Sequence, residues 1–463
     1  MLIKKRCMNR LVTNLQTGRK LSGSPRKRTD DERVRHFQRK LYRKAKQEQG
    51  FKFYILHDKV RLPYFLRESY RRVKRNGGAP GVDGVDFQAI EKQGVDKFLN
   101  QIQQELEQGK YRPQAVLRKY IPKANGKLRP LGIPTIKDRI VQMSLKMVIE
   151  PIFEADFEEF SYGFRPKRSA KDAIKEIKYH LIGGKTQIFD ADLSSYFDTI
   201  PHNKLMIALK ERIADRNILR LIKQFLKAPI KDGKRITGGK RNKKGTPQGG
   251  VISPLLANIY LNLLDRIVAS SNSIFGKANV KMIRYADDFV LMAKWMSPAI
   301  LCKLEELLER MELSINWDKS RIVKAREESF DFLGLTFRYD RPRVKGRKSY
   351  WNIKPSEKSE KRLRANIREY LAVRRHLPTS LIIKDLNQMI GGWLNYFRMP
   401  GTSYIKQSCF ELGEYLNWRT YKHFKRKSQR PCKRYRRATY RQLIREGMID
   451  VRAYAYQSPP SNA

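Results

Sequence analysis

Tyr285-Ala286-Asp287-Asp288 sets two adjacent carboxylates between apolar runs, with Val280, Met282 and Ile283 before them and Phe289, Val290, Leu291 and Met292 after. Such runs around a polar pair predict a β-hairpin with the acids at its tip. Asp-Asp is also ordinary turn chemistry, because Asp side chains bond their own backbone and tolerate unusual dihedrals. The sharper alternative is a metal site, since Mg²⁺ is a hard ion usually held by one or two carboxylates together with substrate phosphates. The pair alone does not decide. Upstream, Ile188-Phe189-Asp190-Ala191-Asp192-Leu193 places Asp190 and Asp192 on one face of a predicted strand. Two acids on one face call for a cation, but strand parity does not say which of them binds it. Asp198, ahead of Thr199-Ile200-Pro201, reads as a turn or cap residue.

Two further segments suit phosphate chemistry. In Gly245-Thr246-Pro247-Gln248-Gly249-Gly250 the glycines permit close backbone approach to a ligand. Ser253-Pro254 then reads as N-cap and N1 of a helix whose Leu255, Leu256, Ile259 and Leu263 have core spacing. As a loop-to-helix junction alone the segment would be unremarkable. Around Asn125-Gly126, a turn signal, Lys123, Lys127 and Arg129 put cations on both arms of a hairpin. Fixed Lys and Arg there suit a triphosphate clamp. Taken alone, the pattern fits a solvated surface hairpin better.

The elements that must position these residues belong to a long and basic chain. Its 463 residues suffice for two to four domains, and 40% hydrophobic residues suffice for cores. Lys and Arg number 98 against 46 Asp and Glu, a net charge of +52. Counterion release makes nucleic acid the favoured polyanionic partner, with binding that weakens steeply in salt. No apolar stretch reaches the roughly eighteen residues of a spanning helix. Cys7, Cys302, Cys409 and Cys432 are far apart, which supports neither a disulfide framework nor a zinc finger. Residues 1–29 carry no acid, a composition that suits a basic RNA-contacting arm ahead of an organellar transit peptide.

Along the chain, 31–75 reads as helical and Asn76-Gly-Gly-Ala-Pro-Gly81 as a loop. From about 85 to 340, helical patterns alternate with β-like runs at 187–193, 280–292 and 332–337, which predicts an α+β domain around a small sheet. Beyond Arg341 the strand signal fades. There 356–376 reads as a basic helix with Ser356 at its N-cap, and 381–397 as a second helix. The stretch 422–445 mixes Lys and Arg with Phe and Tyr, as a nucleic-acid-facing surface or a solvated basic helix would.

Together these segments resemble the reverse transcriptases encoded by group II introns, from about residue 77 through 397. Gly78-Ala-Pro-Gly-Val-Asp-Gly84, Arg129-Pro-Leu-Gly-Ile-Pro134, Tyr162-Gly-Phe-Arg-Pro166, the 192–198 segment, Pro247-Gln-Gly249 and Tyr285-Ala-Asp-Asp288 occur in the order of that family's blocks. The resemblance implies a right-hand polymerase, with a basic arm at 1–30, N-terminal helices and fingers at 31–180, and a palm at 181–340. A helical thumb and maturase-like region at 341–430 and a basic extension at 431–463 would follow. It further implies that Asp192, Asp287 and Asp288 hold two Mg²⁺ ions, with Mn²⁺ a possible substitute, and that Asp190 supports them. Phe197 would exclude a 2′-hydroxyl, and Lys123 and Arg129 would grip the incoming dNTP. Gln248 and Gly249 would lie along the template and nascent pair. Gly334, within Asp331-Phe-Leu-Gly-Leu335, would belong to the primer grip, and Lys319, in Asn316-Trp-Asp-Lys319, would stand near the leaving pyrophosphate. Adjacent strand residues point to opposite faces, which makes Asp287 the safer direct ligand and Asp288 the less secure.

The implied partners are an RNA template, a DNA or RNA primer, dNTPs and structured intron RNA, with no membrane. The expected location is the bacterial cytoplasm, in association with nucleic acid. Leu386-Asn-Gln-Met-Ile-Gly-Gly-Trp393-Leu-Asn-Tyr-Phe397 resembles the thumb and maturase region, and Trp393, Tyr396 and Phe397 are expected in a core ahead of RNA stacking. Lys171 stands where many relatives carry histidine, and no constellation of an HNH-type endonuclease follows. The same polymerase without an intron, serving phage defence or DNA repair, is the alternative; a non-enzymatic splicing chaperone would not need the three acids, and an RNA replicase would not need Phe197.

Overall fold

The computed structural model describes residues 28–122, 128–341, 349–399, 402, 405–425 and 439–456. Eleven strands run among those residues: β1 (Val116–Pro122), β2 (Leu128–Ile133), β3 (Gln187–Asp192), β4 (Pro229–Asp232), β5 (Arg235–Gly238), β6 (Lys281–Tyr285), β7 (Asp288–Ala293), β8 (Arg321–Lys324), β9 (Phe330–Phe332), β10 (Leu335–Asp340) and β11 (Tyr350–Pro355). They form three sheets ordered β2-β1-β4-β5, β6-β7-β3-β8 and β11-β10-β9. Among the pairings of these strands, only the short β1–β4 pairing is parallel. The fold is mixed α/β.

The β6-β7-β3-β8 sheet is buried on both faces, and its pleat sorts the side chains. Phe189, Ala191, Phe289 and Leu291 enter one core with Leu256, Ile259 and Tyr260 of helix Ser253–Ala269. Ile188, Val290 and Met292 enter the other, with Ile174 and Ile177 of helix Ala170–Ile182. Alternation with period two therefore fixes the register, because a one-residue slip would exchange the two cores. Helix Ile136–Glu154 is buried almost all round, as its apolar sequence requires. Its Arg139 donates to Pro134 O (2.9 Å) and to Ala79 O, and a Cβ on Gly81 would meet Thr135 Cα at 2.7 Å. The Gly78–Gly84 block is thus a loop pressed onto this helix's N-terminus.

The third sheet departs from the sequence expectation. The strand signal fades after Arg341, yet Tyr350–Pro355 pairs along β10 from Asp340↔Tyr350 to Leu335↔Pro355. Its Trp351 and Ile353 are buried, and pairing with an existing sheet overrides weak local preference. Ser356 caps helix Glu357–Val373 as expected, accepting from Ser359 N. Ser253 does not cap: it is the first residue of its helix, and its hydroxyl donates to Pro247 O (2.9 Å). Helices Glu357–Val373, Thr379–Phe397, Ile405–Lys425 and Thr439–Arg445 share a separate core that includes Leu363, Ile367, Leu386, Ile390, Leu412 and Leu443. Phe397 is buried and Trp393 partly so, as core residues, whereas Tyr396 is 39% exposed and donates to Leu333 O (2.9 Å).

Leu333 and Gly334 join β9 to β10 as a two-residue turn with φ of +50° and +76°. Left-handed dihedrals at both positions suit a tight hairpin. The Gly334 carbonyl accepts from Ser356 N (2.8 Å) and from Ser359 Oγ (3.1 Å), so the turn joins the third sheet to the helices. Gly334→Ala adds left-handed strain of about 1 kcal/mol and a Cβ 2.9 Å from Ser359 Oγ. The expected outcome is a lower urea midpoint and faster amide exchange at Ser356; an unchanged midpoint and exchange rate would show that the turn does not carry this junction.

Candidate active site

Antiparallel pairing of β3 with β7 places Asp192 opposite Asp288 and Asp190 opposite Val290. Asp190, Asp192 and Asp288 therefore share one face of the sheet. Tyr285 pairs with Asp288, which leaves Ala286 and Asp287 as the hairpin turn. Alternation along a strand consequently does not separate Asp287 from Asp288, because Asp287 lies outside the pleat. Burial first, and the Asp192 charge as well, raises the Asp287 carboxyl above its ordinary range, while Arg129 and Arg284 pull it down. Asp288 opens to solvent at its surface, but the protein around it strips water from the carboxyl. With the charges of Asp287, Asp192 and Asp190 adding to that, it is pushed up to about 7. Asp190 is pushed up to about 6, mainly by burial, against the opposing charge of Arg321.

Asp192 is held by the segment after the helix Pro298–Arg310. Asn316 N donates to Asp192 O (2.8 Å) and Asn316 Nδ2 to Asp192 Oδ2 (3.1 Å). The Asp192 backbone N–H donates to Ser320 Oγ (3.0 Å). Lys319 Nζ lies 2.8 Å from Asp192 Oδ2. Lys319 thus reaches the acid cluster itself, its ammonium paired with the Asp192 carboxylate.

The Gln248 turn bridges the first sheet to the segment after β3. Gly132 N donates to Gln248 O (2.6 Å), and a Cβ on Gly249, at φ +113°, would meet Gly132 O at 2.3 Å. Thr246 N donates to Phe197 O (2.7 Å), and Gly245 N to Ile200 O (2.8 Å). Side chains complete the link: Arg129 Nε donates to Gln248 Oε1 (3.0 Å), and Gln248 Nε2 to Asp198 Oδ2 (3.2 Å). Arg129, Gln248, Gly249 and the half-buried Phe197 are therefore one connected group. Asp198 anchors Gln248, a role beyond the turn or cap read from sequence. Lys123 lies outside the described residues. Gly334 is placed apart, in its turn against helix Glu357–Val373.

Oxygen-only donors crowded together in a partly buried site fit a hard divalent cation. Among the described residues no three acidic, His or Cys side chains stand close enough to close a cation site by themselves. Mg²⁺ sites commonly rely on substrate phosphates for the remainder. Sequence reading missed Asn316 and Ser320 as supports of Asp192, and missed Arg284, fully buried beneath the turn. Arg284 did leave a signal, because it shares strand parity with the core residue Met282, and a charge at a core position demands a partner.

A site of this construction, on this fold, is that of a template-directed polymerase. The family model for reverse transcriptase (RNA-dependent DNA polymerase) matches residues 121–337, and that for the group II intron maturase-specific domain matches residues 360–442. Protein YkfC of Escherichia coli (strain K12) is 37% identical over 338 residues, covering 65% of this chain and 87% of that protein. Group II intron-encoded protein LtrA of Lactococcus lactis subsp. cremoris is 40% identical over 189 residues, 41% of this chain and 31% of LtrA. Nuclear intron maturase 1, mitochondrial, of Arabidopsis thaliana is 30% identical over 184 residues, 29% of this chain and 26% of that protein. The chain belongs to the group II intron reverse transcriptase/maturase family, and it is an RNA-directed DNA polymerase. Its mixed α/β structure is consistent with a right-hand polymerase, and no helix among the described residues is long and apolar enough to cross a membrane.

The crowded Asp288 carboxyl gives stability a pH dependence. Its folded pKa, about 7, lies above the ordinary 3.8, so ionising it destabilises the fold. The penalty is absent below about pH 4, grows between about 4 and 7, and is complete above about 7. With chelator present, wild type should lose more thermal stability between pH 5 and pH 8 than Asp288→Asn, and Mg²⁺ should restore more at pH 8. Equal slopes for the two proteins would remove the crowding.

Proposed function

We propose that the chain copies RNA into DNA with Asp192, Asp287 and Asp288 holding two Mg²⁺ ions, and that it binds group II intron RNA as a maturase in splicing and retromobility. The observation that carries the metal assignment is the convergence of the three acids at one end of the β3–β7 pair, where burial first and neighbouring acid charges second raise the protonation of Asp287 and Asp288. Bound ions would lower the pKa of the primer 3′-hydroxyl and neutralise charge on the leaving pyrophosphate. Around them, Asn316 and Lys319 fix the Asp192 carboxylate, and Lys319 supplies a point charge suited to the pyrophosphate. Asp190 supports the cluster from within the strand.

Arg129, with Lys123, grips the triphosphate, and Gln248 with Gly249 lies along the template and nascent pair. The Arg129–Gln248–Asp198 chain supports this reading by tying a triphosphate-binding cation, a template-facing amide and the Phe197 segment together. Phe197 then closes the space of a 2′-hydroxyl, and the Gly334 turn belongs to the primer grip. In this reading residues 31–180 supply N-terminal helices and fingers, 181–340 the palm and 341–430 the thumb and maturase-like region, flanked by basic extensions. The maturase-specific match over 360–442 favours an intron role over intron-free defence or repair.

Primer extension on an RNA template, with dNTPs or NTPs and Mg²⁺, tests the chemistry. Wild type should use dNTPs and Asp287→Asn should be inactive; robust synthesis by that variant would sink the metal assignment. Phe197→Ala should relax discrimination against ribonucleotides by on the order of tenfold or more, and unchanged discrimination would take Phe197 out of its role. Affinity for intron RNA should fall about 10³-fold between roughly 50 and 200 mM salt if some six phosphates are contacted. A flat response would mean the net charge serves another purpose.

A further inference from the structure

The Ala286-Asp287 turn rests on a buried polar cradle. Arg284, with no exposed surface, uses every guanidinium nitrogen. Its Nε donates to Asp265 Oδ1 (2.9 Å), and its Nη2 to Asp265 Oδ2 (2.5 Å) and Ser161 Oγ (2.7 Å). Its Nη1 donates to Asn258 Oδ1 (3.0 Å) and to Ala286 O (2.8 Å), the carbonyl of the turn. Asn258 Nδ2 in turn donates to Gly163 O (2.8 Å). A Cβ on Gly163 would stand 2.3 Å from Ala286 N, so this backbone lies directly against the turn. Ala286 has φ +61°, a dihedral that a residue with a Cβ adopts only when its surroundings hold it there.

We propose that Arg284 and Gly163 are positioning residues for polymerisation, setting the height and orientation of the turn that carries Asp287. A fork with five N–H groups can hold a carboxylate, an amide, a hydroxyl and a carbonyl at fixed mutual distances, which a flexible ammonium cannot. Asp265 and Asn258 lie on helix Ser253–Ala269 and Ser161 precedes the Tyr162–Pro166 block. The cradle therefore references the turn to a core helix and to that block, and not only to its own hairpin. It gives the block a task that nucleotide contact does not explain. The inference rests on the reading of Asp287 as a metal-holding residue.

The experiment compares single-turnover dNTP addition, template–primer affinity and the Mg²⁺ concentration at half-maximal rate. Wild type, the double variant Arg284→Met/Asp265→Leu, Gly163→Ala and Asp287→Asn are measured in parallel. The double variant replaces the buried ion pair by apolar groups, a change tolerated for the pair itself. It also takes the Arg284 donors from Asn258 Oδ1, Ser161 Oγ and Ala286 O, so thermal stability should fall while the protein still folds. Its addition rate should fall about 10²-fold, as a displacement of about 1 Å at a reacting centre costs. Template–primer affinity should stay within about threefold and the half-maximal Mg²⁺ concentration should rise. Gly163→Ala leaves the polar network whole and moves the turn by its Cβ alone, so it should show the same split of rate from affinity even if the double variant fails to fold. A folded double variant or Gly163→Ala with wild-type rate and Mg²⁺ dependence overturns the inference, as does a loss of template–primer affinity that matches the loss of rate. Failure to accumulate Gly163→Ala as folded protein also overturns it, because the close approach would then serve the fold and not the turn. Activity in Asp287→Asn would instead strike the metal reading itself.

Discussion

Three like charges held within one another's field are the constraint on which the rest of this structure depends. Burial, with the charge of neighbouring acids adding to it, raises the protonation of Asp287 and Asp288 beside Asp192, and nothing in the acids themselves keeps them together. The β3–β7 register brings Asp192 and Asp288 opposite one another. That register is held by the two cores on either face of the sheet, where Phe189 and Leu291 go one way and Ile188 and Met292 the other. Burial of apolar side chains, each contributing about 1.5 to 3 kcal/mol, thus supplies the free energy that offsets the electrostatic cost.

How the remaining acids are used sharpens the point. Asp215 caps helix Arg216–Leu226 and also accepts from Leu56 N and His57 N. Asp138 accepts from Tyr111 Oη and Gln114 N, Glu154 pairs with Arg165, and Asp265 pairs with Arg284. A chain of net charge +52 commits these carboxylates to structural partners. Against that background, acids crowded by other acids stand out, and the proposed Mg²⁺ ions would relieve that crowding.

The fold was legible where the pattern was strong. Alternation announced β3 and the β6–β7 hairpin, and Ser356 announced the helix it caps. It was not legible at β11, where Trp351, Ile353 and Pro355 become a strand because β10 offers them a partner and a core. At the site, the sequence pointed to the acids but not to their supports. Asn316, Ser320 and Asp265 make their decisive bonds across 19 to 128 positions of chain, and no local period encodes contacts of that kind. Arg284 is the instructive case, since its presence at a core parity was visible and only the identity of its partners was hidden.

The link between Arg129, Gln248 and Asp198 shows why the groups of the site form one unit. Gln248 presents its carbonyl oxygen to Arg129 and its amide to Asp198, so its orientation is set by both the first sheet and the segment after β3. Gly249 must lack a side chain for that turn to meet Gly132 O, and the Gly132 N–H fixes the Gln248 backbone in return. An incoming anion that drew Arg129 away would release Gln248 from one of its two side-chain partners. Under the proposed roles, occupation of the hairpin that carries Arg129 and reorientation of the Gln248 amide would be coupled through a single hydrogen bond, in a group whose backbone is held by Gly132.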